Sequence, residues 1–465
     1  MAENFASLLE ASARRWPRKA ALAWDGGSLT WEELDHRAGG FGRSLAERGV
    51  NPGDRIALSV PNRWSFAVAL WGGLKAGATV APLNPLLTPE ERAGILAHLG
   101  PKLVVDTVGA DQAEWPCVAV ADSPALILYT SGSTGQPKGA VLSHAALAFS
   151  SRSWAGPVMA LIPEDRVLGV LPLSHSYGLN GALLAPLWAG ATLVLLERFA
   201  PEEVLGAITR HRVTVFPGVA TMFRRLLDWP ALARADLSSL RVALSGAAPC
   251  PWELAEEWRK RTGVRILRGY GMTELFRPIS YLAGDAMDLA DAIGRPVPGV
   301  EVRAVDEAGR PLPPGEVGEL WIKSPAAMDG YLDDPEETRA VLGGGWFKTG
   351  DLVSLSPDSF VRIVGRKREL ILRGGYSVFP AEVETALLTH PAVAEAAVIG
   401  VAHAELGEEV IAFATLRPGS TVRSEELIAH CKERLAAYKY PRRIVIVDQL
   451  PRGATGKVLK SRLAL

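Results

Sequence analysis

The sequence predicts an α/β protein, with a large N-terminal domain of helix-covered sheets at residues 1–366 and a small mobile α+β domain at 367–465. At 465 residues the chain is longer than one hydrophobic core usually fills, so more than one packed unit is expected. Helix-like and strand-like segments alternate from the start, which favours parallel sheets covered by helices. The final part changes to a mixed order of helices and strands, reached through the short charged connector 364–370.

Each element follows from its periodicity. Residues 31–50 place apolar side chains at helical spacing, and 55–60 form an apolar run of strand length. The alternation continues with a helix at 66–76, a strand at 79–83, a helix at 90–99 and a strand at 103–105. An apolar strand at 125–129 leads into a loop rich in serine, threonine and glycine. Beyond the connector, helices are expected at 381–389 and 424–438, and strands at 393–400, 410–416 and 444–447. Two rigid bodies joined by so little chain suggest a hinge.

Composition excludes several classes. Hydrophobic residues make up 48% and charged residues 22%, as in an ordinary globular protein. Fifty basic against 51 acidic residues give a net charge of -1, which offers no long-range attraction to nucleic acid or to an anionic membrane. Cys117, Cys250 and Cys431 are widely spaced and form no CxxC pair, so neither a disulfide framework nor a zinc site is expected. The first residues lack a signal-peptide core, and the greasy stretch 181–196 contains Pro186 and Gly190. That stretch is also shorter than the ~20 residues of a membrane span. A cytoplasmic protein without stable membrane insertion is expected.

The strongest chemical signal is the string LYTSGSTGQPKG at 128–139. A strand runs into hydroxyls at Thr130, Ser131, Ser133 and Thr134, glycines at Gly132 and Gly135, and Lys138. Such a loop turns backbone N–H groups and hydroxyls toward a polyphosphate and adds one cation. It is not a Walker A loop, because GxxxxGK[ST] is absent. Further along stand LPLSHSYG at 171–178, SGAAP at 245–249, YGMTE at 270–274, WFKTGD at 346–351, GRKRE at 365–369, RGGYS at 373–377 and PRGATGK at 451–457. Taken singly, most of these also read as ordinary turns, a structural histidine or a solvated lysine. Paired glycines suit either a plain turn or the close approach of backbone to a ligand.

The 128–139 string resembles the phosphate loop of the adenylate-forming superfamily, which holds acyl-CoA synthetases, aryl-CoA ligases, firefly luciferase and the adenylation domains of peptide synthetases. The other motifs occur in that superfamily's order over nearly the whole chain. The resemblance implies an AMP-forming acyl-CoA synthetase that uses ATP, Mg²⁺, a small carboxylic acid and coenzyme A. Thr130, Ser131, Gly132, Ser133, Thr134, Gly135 and Lys138 would hold phosphates. Gly246, Ala247, Ala248 and Pro249 would lie against adenine, on which Tyr270 would stack beside Gly271. Thr273 would touch the α-phosphate, and Glu274 would bind the metal. Asp351 would accept hydrogen bonds from the ribose hydroxyls, with Arg366 on the ribose or phosphates. His175 matches a position near the acyl pocket and thiol tunnel, and Gly374 and Gly375 would line that tunnel. Lys457 would bridge the carboxylate and the α-phosphate. The hinge falls at Arg368, where the superfamily commonly has aspartate or lysine.

No aspartate occurs in 171–178, where peptide-synthetase domains tend to place one, which argues against an amino-acid substrate. A ligase that loads a carrier-protein thiol would share every motif. A luciferase-like oxygenase and a non-catalytic nucleotide-binding regulator are further alternatives. The acid itself is not identified; pocket candidates come from 177–180 and 216–222. Arg277, just beyond YGMTE, either pairs with a polar or second acidic group of the substrate or forms a salt bridge with a surface carboxylate.

Overall fold

A computed structural model describes residues 5–109, 111–118, 124–130, 137–286, 288–374, 376–452 and 458–463. The chain packs as two compact units, residues 1–301 with 322–347, and residues 302–321 with 348–465. The strands of 302–321 and 348–366, which the sequence assigns to the large domain, thus pack with the C-terminal residues.

The first unit is built on two sheets. One has seven strands in the order Arg265–Leu267, Val242–Ser245, Val215–Gly218, Arg166–Gly169, Thr192–Leu195, Ala20–Trp24 and Gly27–Thr30. All neighbours in it are parallel except the last pair. The other has six strands in the order Gly330–Tyr331, Lys138–Ser143, Pro124–Thr130, Thr79–Pro82, Arg55–Leu58 and Leu103–Val105. The helices between them form for local reasons. Thr30 and Glu33 close a capping box on Trp31–Glu47, and Thr88 and Glu91 do the same for Pro89–Leu99. Gly100, in the left-handed region at φ 55°, ends the second of these. Trp64–Lys75 is buried along nearly its whole circumference, as a helix between layers must be.

A small antiparallel sheet, Gly269–Met272, Phe276–Ser280 and Arg295–Pro296, follows the last parallel strand. It matters most for the site, because it turns the chain back across the carboxyl ends of the parallel strands.

The second unit carries an antiparallel pair, Trp346–Leu355 with Val361–Arg366, that runs into a 3-10 turn at Lys367–Glu369. Beyond it, Tyr376–Val378, Ile371–Arg373, Gly407–Leu416 and Val393–His403 form a sheet to which Arg443–Ile446 adds in parallel. Helices Pro380–Leu388 and Ser424–Lys432 pack on it through Val383, Leu387, Leu427 and Cys431. The second helix is shorter than the expected 424–438. After Lys432 the chain leaves helical geometry, Tyr438 stacks on Tyr376 with ring centroids 4.5 Å apart, and Lys439 reaches Glu382 at 2.7 Å. Among the described residues, no helix is long and apolar enough to cross a membrane.

Candidate active site

The first unit contains a cavity of about 110 Å³. Three segments named in the sequence meet around it: His175–Tyr177, Gly246–Ala247 and Gly269–Thr273, with Trp154, Phe276 and Arg277 completing the wall. Their convergence follows from topology. Gly246 and Ala247 leave the carboxyl end of the strand Val242–Ser245, and Gly269 begins the small sheet just after the strand Arg265–Leu267. Clefts at strand ends of this kind are the usual ligand sites of open α/β sheets.

The Tyr270–Glu274 motif is a tight turn between two strands. Tyr270 pairs with Ile279 and Met272 with Phe276, with a bulge between them. Phe276 takes a left-handed conformation at φ 55°, costly for an aromatic residue, and its carbonyl oxygen folds onto Gly271. A Cβ at position 271 would overlap that oxygen, so the turn requires glycine there. Ala247 is likewise left-handed, at φ 62°.

Glu274 is 8% exposed and does not sit alone. It accepts a hydrogen bond at 2.8 Å from the hydroxyl of Tyr331, a residue 57 positions away. Burial and the neighbouring carboxylate push the Tyr331 pKa up, so the phenol stays a donor. Tyr331 arrives on the short strand Gly330–Tyr331, which pairs with Lys138–Ser143, the strand leaving the phosphate loop. Lys138 lies 5.4 Å from the Tyr331 ring centroid and pairs with Glu337 at 2.5 Å. Glu337 is placed by the helix Pro335–Val341, whose cap Asp334 accepts from the Glu337 N–H. Lys138 and the Glu274 carboxylate are therefore both brought against one tyrosine, the cation over its ring and the carboxylate on its hydroxyl.

His175 accepts a hydrogen bond on Nδ1 from the Tyr177 N–H at 3.2 Å, which leaves its proton on Nε2. Burial lowers its pKa, so it is neutral at pH 7. Tyr177 is buried, donates to the Leu244 carbonyl at 3.1 Å, and is held protonated by that burial.

Of the two expectations for Arg277, the surface salt bridge is not met. The side chain is 4% exposed and donates from Nε to Ser280 Oγ at 3.0 Å, from Nη1 to the Ser245 carbonyl at 3.0 Å and from Nη2 to the Leu267 carbonyl at 2.9 Å. Its guanidinium lies 5.4 Å from the Trp154 ring centroid, with Gly269 against it. The pocket candidates divide. Tyr177 lines the cavity, whereas Asn180 is buried against Ser150 and Ser151, and Phe216 packs into the core with Phe223.

Other predicted residues lie elsewhere. Thr130 ends its strand opposite Lys138, and Ala248 and Pro249 are exposed beyond Ala247. In the second unit, Asp351 and Arg366 are direct strand partners and form an ion pair at 3.1 Å. Arg368 is exposed in the 3-10 turn, and Gly374 has φ 57°. Ser131, Gly132, Ser133, Thr134, Gly135, Gly375 and Lys457 lie outside the described residues.

Comparison with known proteins shows the family. The model of the AMP-binding enzymes matches residues 9–118 and 107–332, and that of their C-terminal domain matches 382–457. This chain belongs to the AMP-binding enzymes. It is 36% identical to a feruloyl-CoA synthase of an Amycolatopsis species, over 97% of this chain and 96% of that protein. It is 35% identical to a 2-succinylbenzoate–CoA ligase of Bacillus velezensis, over 97% and 96%. The crystal structure of ATP-bound MatB from Rhodopseudomonas palustris superimposes with a TM-score of 0.92 at 33% identity, covering 98% of this chain and 97% of that one.

The sequence did not point to Trp154, Tyr331 or Glu337. For Glu337 a signal existed, since Asp334-Pro-Glu-Glu337 reads as a capped helix start. Nothing local links Tyr331 to Glu274.

Proposed function

We propose that the cavity of the first unit is where a carboxylic acid is adenylated, and that coenzyme A then takes the acyl group. The class of enzyme follows from family membership: the chain is an ATP-dependent acid–CoA ligase working through an acyl-adenylate. The acid carboxylate attacks the α-phosphate of ATP and displaces pyrophosphate. The thiol of coenzyme A then attacks the acyl carbon and displaces AMP.

The observation that carries the assignment of residues is the meeting of His175, Gly246–Ala247 and Tyr270–Thr273 on one cavity, with Glu274 fixed beside it. In our reading Tyr270 stacks on adenine next to Gly246–Ala247, with Gly271 and Ala248–Pro249 shaping that slot. Thr273 donates to the α-phosphate, and the loop 130–135 with Lys138 holds the outer phosphates. Asp351 and Arg366 hold the ribose. Neutral His175 bounds the acid and carries its proton on Nε2, free of charge that would compete for the carboxylate. Lys457 offsets the repulsion between carboxylate and phosphate as the bond forms.

Glu274 suits Mg²⁺. Among the described residues there is no cluster of three or more His, Cys, Asp or Glu side chains able to hold a metal. A single fixed carboxylate beside a phosphate site fits a cation that takes its remaining ligands from nucleotide oxygens and water. When bound, the ion would supply charge neutralisation on the phosphates. We further propose that the connector turns about Arg368 between the two steps, carrying residues 367–465 so that Lys457 withdraws and Gly374–Gly375 line the path of the thiol. Coenzyme A, rather than a carrier protein, is the proposed acceptor, because the relatives are named as CoA ligases. The cytoplasm, where ATP and coenzyme A meet, is the proposed setting.

The test is acid-dependent release of pyrophosphate from ATP, followed by thioester formation with free coenzyme A. Pyrophosphate release without a coenzyme A thioester, but with loading of a carrier protein, would replace the acceptor. No acid-dependent release from any acid overturns the proposal.

A further inference from the structure

The relatives act on differently named acids, so the acid of this chain has to be read from its own cavity. Arg277 is the residue there that the adenylation chemistry leaves without a task. Its hydrogen bonds go to two carbonyls and a hydroxyl, its faces to Trp154 and Gly269, and Tyr177 stands beside it as a neutral phenol. None of these partners is a carboxylate. Glu274, three residues earlier, is taken by Tyr331 instead. Among the described residues, no aspartate or glutamate lines the cavity, and the histidine that lines it is neutral. Among the described residues the guanidinium is thus hydrogen-bonded but not paired with a carboxylate, and at 4% exposure it is poorly solvated.

A buried cation of this kind favours an anion in the adjoining space, because arginine keeps its proton and an uncompensated interior charge is costly. The anion is not the group undergoing reaction. Arg277 reaches back under Gly246 and Gly269 to the carbonyls of Ser245 and Leu267, at the ends of the parallel strands. The reacting carboxylate belongs with Thr273, in the turn on the other side of Phe276. The inner wall is rigid as well: Tyr177 is bonded to Leu244, Arg277 is bonded three times, and the indole of Trp154 covers it. Little length is left for an acyl chain in about 110 Å³.

We propose that Arg277 determines specificity, and that the acid activated here is a short dicarboxylate whose second carboxylate lies against the buried guanidinium. This rests on the cavity being the acid site, as proposed above. The test measures acid-dependent pyrophosphate release for matched pairs: butanoate against succinate, pentanoate against glutarate, and benzoate against terephthalate. The wild-type enzyme is expected to favour the dicarboxylate of at least one pair by about 10- to 100-fold in kcat/KM, the range of a charge-assisted hydrogen bond. Arg277→Gln should lose that preference, the ratio of dicarboxylate to monocarboxylate turnover falling to about one or below. Arg277→Lys, which keeps the charge but not the planar fork, should fall between.

The wild-type arm requires no variant, so poor folding of Arg277→Gln cannot shield the idea. Equal or better turnover of every monocarboxylate by the wild-type enzyme overturns the inference alone. So does a preference that survives unchanged in folded Arg277→Gln. Absence of release with every acid, including a wider set of aromatic and longer ones, overturns the adenylation reading and this inference together.

Discussion

Two charged segments of the chain, 273–277 in the first unit and 367–370 in the second, are held in different ways. In the first, Glu274 and Arg277 are buried and each is fixed by named partners: one tyrosine for the acid, two carbonyls and a serine for the base. In the second, Lys367 and Arg368 are exposed on a single 3-10 turn. That turn is tied down by ion pairs, Lys367 to Glu319 at 3.1 Å and Lys460 to both Glu369 and Glu384 at 2.8 Å. Buried networks with satisfied partners are stiff, whereas ion pairs at a partly exposed turn are weakened by solvent. The difference teaches where preorganisation is invested. The turn beside the cavity is fixed by buried partners, and the hinge proposed at the connector would have to exchange partly exposed ion pairs.

The largest expected effect comes from breaking the stiff segment. Gly271→Ala puts a Cβ onto the Phe276 carbonyl, so the turn has to move. Acid-dependent pyrophosphate release should fall by about 100-fold or more, since a shift of this size displaces reacting groups. Circular dichroism should still report a folded chain; retention of near-parental turnover would show that the turn is softer than its contacts indicate.

Next is the connector. Proline fixes φ near −65°. Arg368→Pro should spare acid-dependent pyrophosphate exchange and cut thioester formation from supplied acyl-AMP by roughly tenfold or more. Arg368→Ala, which removes charge but leaves the backbone free, should be close to wild type in both. Parallel loss of both steps in Arg368→Pro, with a lower melting temperature, would leave no hinge at this position.

Tyr331→Phe is a gentler probe of the stiff segment. Removing one hydroxyl frees Glu274 to reorient, and the half-saturating Mg²⁺ concentration for ATP binding should rise by about 5- to 20-fold. Calorimetric titration of ATP at stepped Mg²⁺ reads this without turnover. An unchanged Mg²⁺ curve would reduce Tyr331 to a packing residue.

The smallest effect is on stability against pH. Burial lowers His144 to about 4 and lowers His175 as well, so each binds its proton more weakly folded than unfolded. As pH falls below the unfolded value near 6.5, the unfolded chain takes up protons first and stability drops. For His144 the loss is about 2 kcal/mol at pH 5. Urea midpoints between pH 7.5 and 5 should show it, and His144→Gln should flatten the slope. The connector carries no histidine, so its ion pairs leave that slope alone.

Much of this was legible in the sequence because it depends on short-range rules. The strands and helices of residues 31–105 fall where periodicity and capping residues place them, within a few positions. The glycine of Tyr270–Glu274 was legible as a motif residue, but its reason, the carbonyl of Phe276, depends on the turn's three-dimensional course. Tyr331 and Trp154 were not legible, since each reaches the site through tertiary packing over many residues. Phe216 misled because an apolar residue at a strand end reads alike whether it faces a pocket or the core. The helix beginning at Ser424 was overextended because its sequence stays helix-compatible past Lys432, whereas Tyr438 and Lys439 are engaged by Tyr376 and Glu382 in non-helical chain.

Gly269 and Arg277 occupy one volume between them. A side chain at 269 would strike the guanidinium, which also has the Trp154 ring 5.4 Å away and three hydrogen bonds to hold it in place. The two positions are therefore coupled in the order in which they can change. A variant that loses Arg277 first opens space that alanine or serine at 269 can fill, and the pair can drift together toward a more apolar acid. A variant that gains a side chain at 269 first meets a clash before any benefit. Laboratory selection for a new acid should accordingly recover substitutions at 277 ahead of those at 269, and double mutants should be far less impaired than the Gly269 single mutants predict.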